Sequence, residues 1–187
     1  MKIGLLFGSF NPIHTGHLII ANHIANYYTD KTWFIVSPQN PFKLTTDLLN
    51  PSQRLKLVQL AVENDTHFKV SDIEFNLPTP SYTINTLHAL TKKYREDKFF
   101  LIIGSDNLAG ITAWKSSEEI LSNYKLLVYE RPGFPIETNI STIEIIQAPL
   151  LNISSTFIRR LIKENKSIRY LVPEKVRVEI EANKYYK

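Results

Sequence analysis

Short apolar runs alternate with longer amphipathic segments along the chain. Runs of four to six residues with mostly apolar side chains predict strands; they cover residues 3–7, 32–37, 68–71, 99–103, 125–129 and 143–146. Apolar residues at helical spacing between and after these runs predict helices over about 16–28, from Pro51 onward, and over 83–94, 155–165 and 173–184.

Strands that alternate with helices at this spacing are typical of an α/β protein. We expect a Rossmann-like, doubly wound, mostly parallel sheet with helices on both faces and a helical C-terminal part. Residues 1–187 are expected to form a single domain, with the helical portion from about 154 to 187 packed on it. Ligands of such sheets bind beyond the carboxyl ends of the strands, at the point where the strand order reverses.

The segment 8–17, Gly-Ser-Phe-Asn-Pro-Ile-His-Thr-Gly-His, follows the first predicted strand and opens the first predicted helix. Strand, tight turn and helix start together form a geometry in which backbone N–H groups face an anion. Thr15 is a candidate N-cap, and Gly16 would leave room for a phosphate to approach the backbone. His14 and His17 add donors that can be cationic near neutral pH. We interpret the segment as a triphosphate site.

A second group of polar residues lies near the C-terminus. Ser154-Ser155-Thr156 precedes an apolar run with helical spacing, so Ser154 or Ser155 is expected to cap a helix. Ordinary capping would explain these residues without a ligand. Arg159, however, lies one turn after Ser155 on the same helix face. Hydroxyls, free N–H groups and a guanidinium at one helix end would form a second phosphate clamp.

The composition narrows the classes of protein. The chain has 187 residues, 43% of them hydrophobic, which is enough for a proper core. It has no cysteine, which excludes disulfides, thiolate catalysis and cysteine-ligated zinc. No apolar run approaches the length of a membrane span or a signal peptide core, so we expect a cytoplasmic protein without a membrane partner. The net charge of +4 suits an anionic ligand, and no dense basic block interleaved with aromatic residues indicates nucleic acid.

These two segments resemble the nucleotidylyltransferase superfamily, and most closely the bacterial nicotinate-nucleotide adenylyltransferases. The resemblance extends nearly end to end. It includes the 38–43 loop, Ser81-Tyr82-Thr83, the segments 104–108 and 131–133, Trp114, and Tyr170-Leu171-Val172-Pro173, all in the family's order. The first segment alone would fit several adenylyl- and cytidylyltransferases, whereas the combination is specific.

The resemblance implies adenylyl transfer in NAD biosynthesis. The 5′-phosphate of nicotinate mononucleotide would attack the α-phosphate of ATP, giving nicotinate adenine dinucleotide and pyrophosphate. His14, His17 and Arg159 are the implied catalytic residues: the histidines would bond the phosphates and the transition state, and Ser155, Thr156 and Arg159 would hold the β/γ end. Mg²⁺ is expected mainly on phosphate oxygens and water, with no ion held by the protein alone.

The family likeness also implies roles for residues outside the two phosphate motifs. Asp106 would contact the adenosine ribose, although capping of a helix would explain it equally well. Trp114 would stack on the pyridine ring, although a core tryptophan is the alternative. Thr83 and a nearby backbone N–H would hold the nicotinate carboxylate.

The remaining implied contacts are less specific. Lys115 stands where relatives often have an aromatic residue, so its side chain has no role implied by the family, although we include it among the substrate contacts. The other residues assigned to ATP are Gly8, Ser9, Phe10, Gly16 and Gly104, and the other residues assigned to the mononucleotide are Asn11, Asn40, Lys43 and Arg131.

Two other interpretations stay open at this level. The acceptor could be nicotinamide mononucleotide or phosphopantetheine, because both accept an adenylyl group from ATP in the same type of reaction. In a different class, the chain could be a non-catalytic nucleotide- or RNA-binding module, whose affinity would fall steeply with salt and which would release no pyrophosphate. The sequence does not decide whether the protein is a homo-oligomer.

Overall fold

A computed structural model describes residues 1–39, 48–136, 138–149 and 151–187. In these residues, six strands form one sheet in the order β3-β2-β1-β4-β5-β6, and every neighbouring pair is parallel. The strands are β1 (Lys2–Gly8), β2 (Lys31–Val36), β3 (Phe68–Ser71), β4 (Lys98–Gly104), β5 (Lys125–Tyr129) and β6 (Ile143–Ile146). The predicted fold class and all six predicted strands are confirmed, with ends shifted by at most one residue.

The α-helices are α1 (Thr15–Tyr27), α2 (Pro51–Val62), α3 (Thr83–Lys93), α4 (Ser105–Ala109), α5 (Ser117–Asn123), α6 (Ser155–Lys163) and α7 (Glu174–Ala182). The short helices α4 and α5, and 3-10 turns at Ile73–Asn76 and Ile111–Ala113, were not predicted. They are too short for a helical period to be recognised in the sequence. Within the described parts of the chain, no helix is both long and apolar enough to cross a membrane.

Two helix starts follow directly from the sequence. Pro51 is the first residue of α2, where its missing N–H costs no hydrogen bond, and the Asn50 side chain accepts from the Ser52 N–H at 3.0 Å. At the start of α6, the Ser154 hydroxyl accepts from the Phe157 N–H at 3.1 Å. Ser154 is therefore the cap, which leaves the Ser155 side chain available for another contact.

Successive side chains along each strand point to opposite faces of the sheet, and they contribute to two hydrophobic cores, one on each face. Leu6 and Phe34 face α1, α2, α6 and α7, whereas Leu5 and Trp33 face α3 and α5. The four central strands β1, β2, β4 and β5 thus bury both of their faces, which is why they read as continuous apolar runs, whereas the edge strands β3 and β6 are only partly buried. Gly4 lets Ile24 of α1 and Ile102 of β4 pack closely on β1, because a Cβ there would lie 3.2 Å from Ile24 Cγ2 and 2.8 Å from Ile102 Cδ1.

The C-terminal helices close the first core. Val176 and Ile180 of α7 pack in the same cluster as Leu57 of α2. On the surface, Lys56 Nζ lies 2.6 Å from Glu179 Oε1 and joins the same two helices. This packing places the start of α6 near the carboxyl end of β1, where the sheet reverses its strand order.

Candidate active site

The loop from Ser9 to His14 leaves β1 at the point where the strand order reverses. Its Phe10 residue has a φ of 46°, and the ring is only 3% exposed. That ring packs edge-on against Phe34 and fills the space above Gly8, where a Cβ would lie 2.9 Å from it. The Phe10 side chain is therefore part of the core, and only its backbone can face a ligand in this conformation.

Helix α1 begins differently from the prediction. His14, not Thr15, is the N-cap, and Thr15 is the first helical residue. The Thr15 N–H donates to the Leu171 carbonyl at 2.9 Å, and its hydroxyl donates to the Tyr170 carbonyl at 3.2 Å. Thr15 was expected to cap its own helix, and this was wrong because residues more than 150 positions later bind it instead.

The two imidazoles stack at the start of α1. Their ring centroids are 3.7 Å apart, with an angle of 25° between the planes. The backbone N–H of His14 donates to Nδ1 of His17 at 3.2 Å. Nδ1 of His17 is thus an acceptor, and in the neutral ring the proton resides on Nε2, which becomes a donor. A Cβ at Gly16 would lie 3.2 Å from the His14 ring, so this glycine makes room for an imidazole.

His14 is neutral in this structure at physiological pH. Burial and, to a smaller extent, the positive charge of Arg131 lower the pKa of His14 from 6.5 to about 4. The side chain is almost fully buried, so a proton on it would lose most of its hydration. The sequence suggested donors that can be cationic near neutral pH; in the absence of a bound anion, His14 supplies a neutral imidazole.

The second polar segment contacts the first. Ser155 Oγ donates to the Pro12 carbonyl at 2.8 Å, and Arg159 Nη1 donates to the Asn11 carbonyl at 2.9 Å. Arg159 Nη2 lies 3.5 Å from Thr156 Oγ1 on the same helix end. The expected proximity of the two segments is confirmed, although Ser155 and Arg159 here bind carbonyls of the first loop.

Arg54 of α2 binds the Ser9 carbonyl at the start of the same loop, a contact that was not predicted from the sequence. The side chain is completely buried, and its guanidinium donates to four carbonyls and has no carboxylate partner among the described residues. Nη1 bonds Ser9 at 2.6 Å and Ser37 at 2.7 Å; Nη2 bonds Pro38 at 2.8 Å, and Nε bonds Leu49 at 2.9 Å. An arginine among the apolar positions of α2 is the signal that could have identified it.

Together, these donors hold carbonyls of the loop away from a prospective anion. In a trans peptide the C=O and the next N–H point in opposite directions. The Ser9 carbonyl accepts from Arg54, and the Pro12 carbonyl accepts from Ser155. The N–H groups of the next residues, Phe10 and Ile13, therefore point away from these two donors. A loop whose carbonyl oxygens are occupied in this way presents less negative charge to a phosphate.

An acidic and a basic side chain meet beyond the carboxyl ends of β4 and β5, Asp106 after β4 and Arg131 after β5. Arg131 Nε lies 3.8 Å from Asp106 Oδ2, and the Arg131 N–H donates to Ser105 Oγ at 2.8 Å. Asp106 Oδ1 is buried and has no hydrogen-bond partner among the described residues. A Cβ at Gly104 would lie 2.4 Å from that oxygen. Asp106 is the second residue of α4 and does not cap the helix. Its Oδ1 therefore remains available as an acceptor for a ligand.

A cavity of about 220 Å³ opens between the ends of β1 and β4. Its walls are formed by residues from the strand ends, the start of α3 and the turn before α5; they include Gly8, Gly104, Thr83, Trp114 and Lys115. Trp114 is half-buried, so one part of the indole packs in the core and another lines the cavity. The cavity brings together the residues assigned to the pyridine ring.

The cavity also contains a buried acid that the sequence analysis missed. Glu74 is 2% exposed, and the Thr86 hydroxyl donates to its Oε1 at 2.7 Å. Burial raises the pKa of Glu74, whereas the hydroxyls of Thr86, Ser37 and Ser81 act in the opposite direction. It lies in a 3-10 turn directly after β3, where a lone glutamate gives no distinctive sequence signal.

Other assigned residues lie apart from the cavity wall or outside the described part. Asn11 is 4% exposed, and its Oδ1 accepts from the Leu49 N–H at 3.0 Å, so it links the first loop to the start of α2. Asn40 and Lys43 fall outside the described residues. Within the described ranges, no three histidine, aspartate or glutamate side chains are grouped as metal ligands.

Comparison with known proteins identifies relatives over the whole chain. Residues 5–161 match the cytidylyltransferase-like family. A probable nicotinate-nucleotide adenylyltransferase of Cytophaga hutchinsonii is 51% identical over 191 residues, which cover all of this chain and 98% of that protein. The protein of the same name from Flavobacterium johnsoniae is 49% identical, and the match covers both chains completely.

Solved structures share the fold. The nicotinic acid mononucleotide adenylyltransferase of Plasmodium falciparum, complexed with NaAD, superposes with a TM-score of 0.84 at 20% identity and covers 99% of this chain and 97% of that one. The structure of a protein from Vibrio parahaemolyticus, named a putative nicotinate-nucleotide adenylyltransferase, gives a TM-score of 0.76 at 20% identity and covers 99% of this chain and 94% of that one.

Proposed function

The chain belongs to the nicotinate-nucleotide adenylyltransferases, within the cytidylyltransferase-like family, and we propose that it joins ATP and nicotinate mononucleotide. The products are nicotinate adenine dinucleotide and pyrophosphate, in a step of NAD biosynthesis. The observation that carries this proposal is the contact between the two phosphate motifs. Ser155 Oγ donates to the Pro12 carbonyl at 2.8 Å, and Arg159 Nη1 donates to the Asn11 carbonyl at 2.9 Å, both in the loop before His14.

The reaction needs no protein nucleophile. The acceptor is already an anionic phosphate, so catalysis consists of aligning two anions and neutralising charge at the α-phosphate and the leaving group. His17 Nε2 is suited to this role, because the His14 backbone fixes the opposite ring nitrogen as an acceptor. The start of α1 adds the positive end of its helix dipole, which favours an anion, although the Thr15 N–H is bound to the Leu171 carbonyl and the His17 N–H to the His14 carbonyl.

His14 enters the reaction as a neutral donor in our proposal. Its pKa of about 4 means that the ring is uncharged before ATP binds. A bound triphosphate would bring negative charge against the ring and raise that pKa, so nucleotide binding would be linked to proton uptake. Arg159, which binds the Asn11 carbonyl, and Arg131, whose charge acts on His14, then supply permanent positive charge.

The nucleoside contacts follow from the open acceptor and the cavity. Asp106 Oδ1 is buried without a partner among the described residues, which suits the ribose hydroxyls of ATP. Trp114 would stack on the pyridine ring, and the N–H groups in the first turn of α3 at Thr83 would bind the carboxylate. The backbone of Gly8, Ser9, Gly16 and Gly104 would contact the nucleotide, and Thr156 would help to hold its β/γ end.

Mg²⁺ fits this donor set only as a phosphate-bound ion. The side chains around the loop are imidazoles, hydroxyls and guanidinium groups, whereas Mg²⁺ prefers oxygen ligands and retains its waters. Bound to the triphosphate, the ion would neutralise charge on the leaving pyrophosphate. For the location we propose the cytoplasm, since a chain without cysteines suits a reducing compartment.

Pyrophosphate release with ATP and each of three acceptors tests the proposal directly. We expect the highest kcat/KM with nicotinate mononucleotide, a lower value with nicotinamide mononucleotide, and the lowest with phosphopantetheine. Preference for the neutral nicotinamide would contradict the assigned carboxylate contact. Nucleotide binding without any pyrophosphate release would instead favour a binding module.

A further inference from the structure

Of the described residues that line the cavity, two carry charged side chains, Glu74 and Lys115. Glu74 lies at the inner end, 2% exposed. Lys115 lies at the exposed rim, with its Nζ 4.8 Å from the centre of the Tyr82 ring. A ligand that enters the cavity therefore passes a cation before it reaches a buried acid.

Lys115 has no carboxylate partner in the described part of the chain. Its contact with Tyr82 orients the side chain along one wall but does not neutralise the ammonium. The following residue, Ser116, has a φ of 54°, a left-handed conformation that a serine adopts only when the surroundings enforce it. The turn that carries Lys115 is thus held in an unfavourable backbone conformation next to Trp114.

The buried acid gives this cation a function. An ionised Glu74 would repel a substrate carboxylate, and it would not repel a neutral carboxamide. The N–H groups at the start of α3 attract either group, since both contain an acceptor oxygen. A positive charge within reach of the ring substituent would favour the anionic ring, and Lys115 is the one cation among the described residues that line the cavity.

We propose that the Lys115 ammonium determines the preference of this protein for a pyridine carboxylate over a pyridine carboxamide. The inference rests on the proposed function and extends it to one specificity-determining side chain. Lys115 acts on the ring substituent and takes no part in phosphate transfer, so its removal changes the choice of acceptor more than the chemistry.

The test compares acceptors in the Lys115→Met variant, which keeps the length of the side chain and removes its charge. A charged hydrogen bond of ordinary strength predicts that kcat/KM for nicotinate mononucleotide falls about tenfold, mostly through KM. The value for nicotinamide mononucleotide stays unchanged, because a neutral amide gains little from the cation. Lys115→Arg is expected to retain the wild-type preference.

Lys93→Met is the matched control. Lys93 also lies over a tyrosine, 5.4 Å from the centre of the Tyr94 ring, but it is exposed at the end of α3 and does not line the cavity. Each substitution removes one positive charge from a lysine that lies over a tyrosine ring. A nonspecific effect of net charge would therefore appear in both variants.

Two results would overturn the inference. An unchanged ratio of the two kcat/KM values in Lys115→Met would show that the ammonium does not sense the ring substituent. An equal loss for both acceptors would show that it binds the shared phosphate or ribose. If the wild-type protein releases no pyrophosphate with nicotinate mononucleotide, the proposed function itself fails, and this outcome is separate from the first two.

Discussion

The protonation of His14 links the stability of the empty protein to pH. In the folded protein, burial and the charge of Arg131 lower its pKa to about 4, against 6.5 for an unperturbed histidine. Between these two values the unfolded chain binds a proton that the folded chain does not. The free energy of unfolding therefore falls as the pH falls from about 6.5 to about 4, and the stabilising contribution is fully present above 6.5.

The expected size follows from the two pKa values. At about 1.4 kcal/mol per unit, the full shift corresponds to roughly 3.4 kcal/mol once both forms are protonated. Between pH 7 and pH 5 the linkage relation gives a loss of about 1.8 kcal/mol from His14 alone. Since a small domain has only about 5–15 kcal/mol in total, this loss is large enough to measure.

Urea unfolding at pH 7 and pH 5, in wild type and in His14→Gln, isolates the contribution. Glutamine is similar in size and does not titrate. Between pH 7 and pH 5, the free energy of unfolding should therefore fall by about 1.8 kcal/mol less in the variant than in the wild type. Other titrating groups contribute equally to both proteins and cancel in the comparison. NMR titration of the imidazole provides the direct value, with the resonance assigned by its absence from the variant.

A His14 midpoint near 6.5, or the same pH dependence in both proteins, would refute the reasoning from burial. The titration with bound ATP then examines the proposed role. Because phosphate charge favours the protonated ring, the midpoint should rise on binding. A midpoint that does not change would mean that the phosphates lie away from His14.

Three further changes test other parts of the site. His17→Ala should fold normally and lower kcat at least about a hundredfold, as expected for the loss of one transition-state donor, measured by pyrophosphate release. Arg159→Met removes the donor to the Asn11 carbonyl and should lower the free energy of unfolding by about 1–2 kcal/mol and raise KM for ATP. Gly104→Ala places a Cβ 2.4 Å from Asp106 Oδ1, so the carboxylate must move and KM for ATP should rise.

Neighbouring residues provide the controls for two of these variants. Arg160→Met removes an exposed cation from the same helix and should leave both stability and KM close to wild type. Gly110→Ala places a Cβ no closer than 3.9 Å to its nearest neighbour and should be tolerated. A control as impaired as its partner, or a near wild-type rate in His17→Ala, would contradict the assignments.

Much of the fold could be predicted because its signals are local. All six runs correspond to strands whose ends differ by at most one residue, and the signal is strongest in the four central strands, since burial on both faces of a parallel sheet requires an apolar run. Asn50, Pro51 and Ser154 marked helix starts because a capping group or a missing N–H acts on the next one or two turns. The phosphate motifs were recognised from the types and spacing of their residues.

What the sequence by itself determined is thus the type and order of the elements and the identity of the polar residues in the site. Tertiary structure decided the partners and charges of those residues: the neutrality of His14, the carbonyls bound by Arg159, and the burial of Arg54 under the loop. These depend on contacts between segments up to 148 residues apart. Local preference extends over a few residues, whereas desolvation and hydrogen bonding depend on whatever the folded chain brings near.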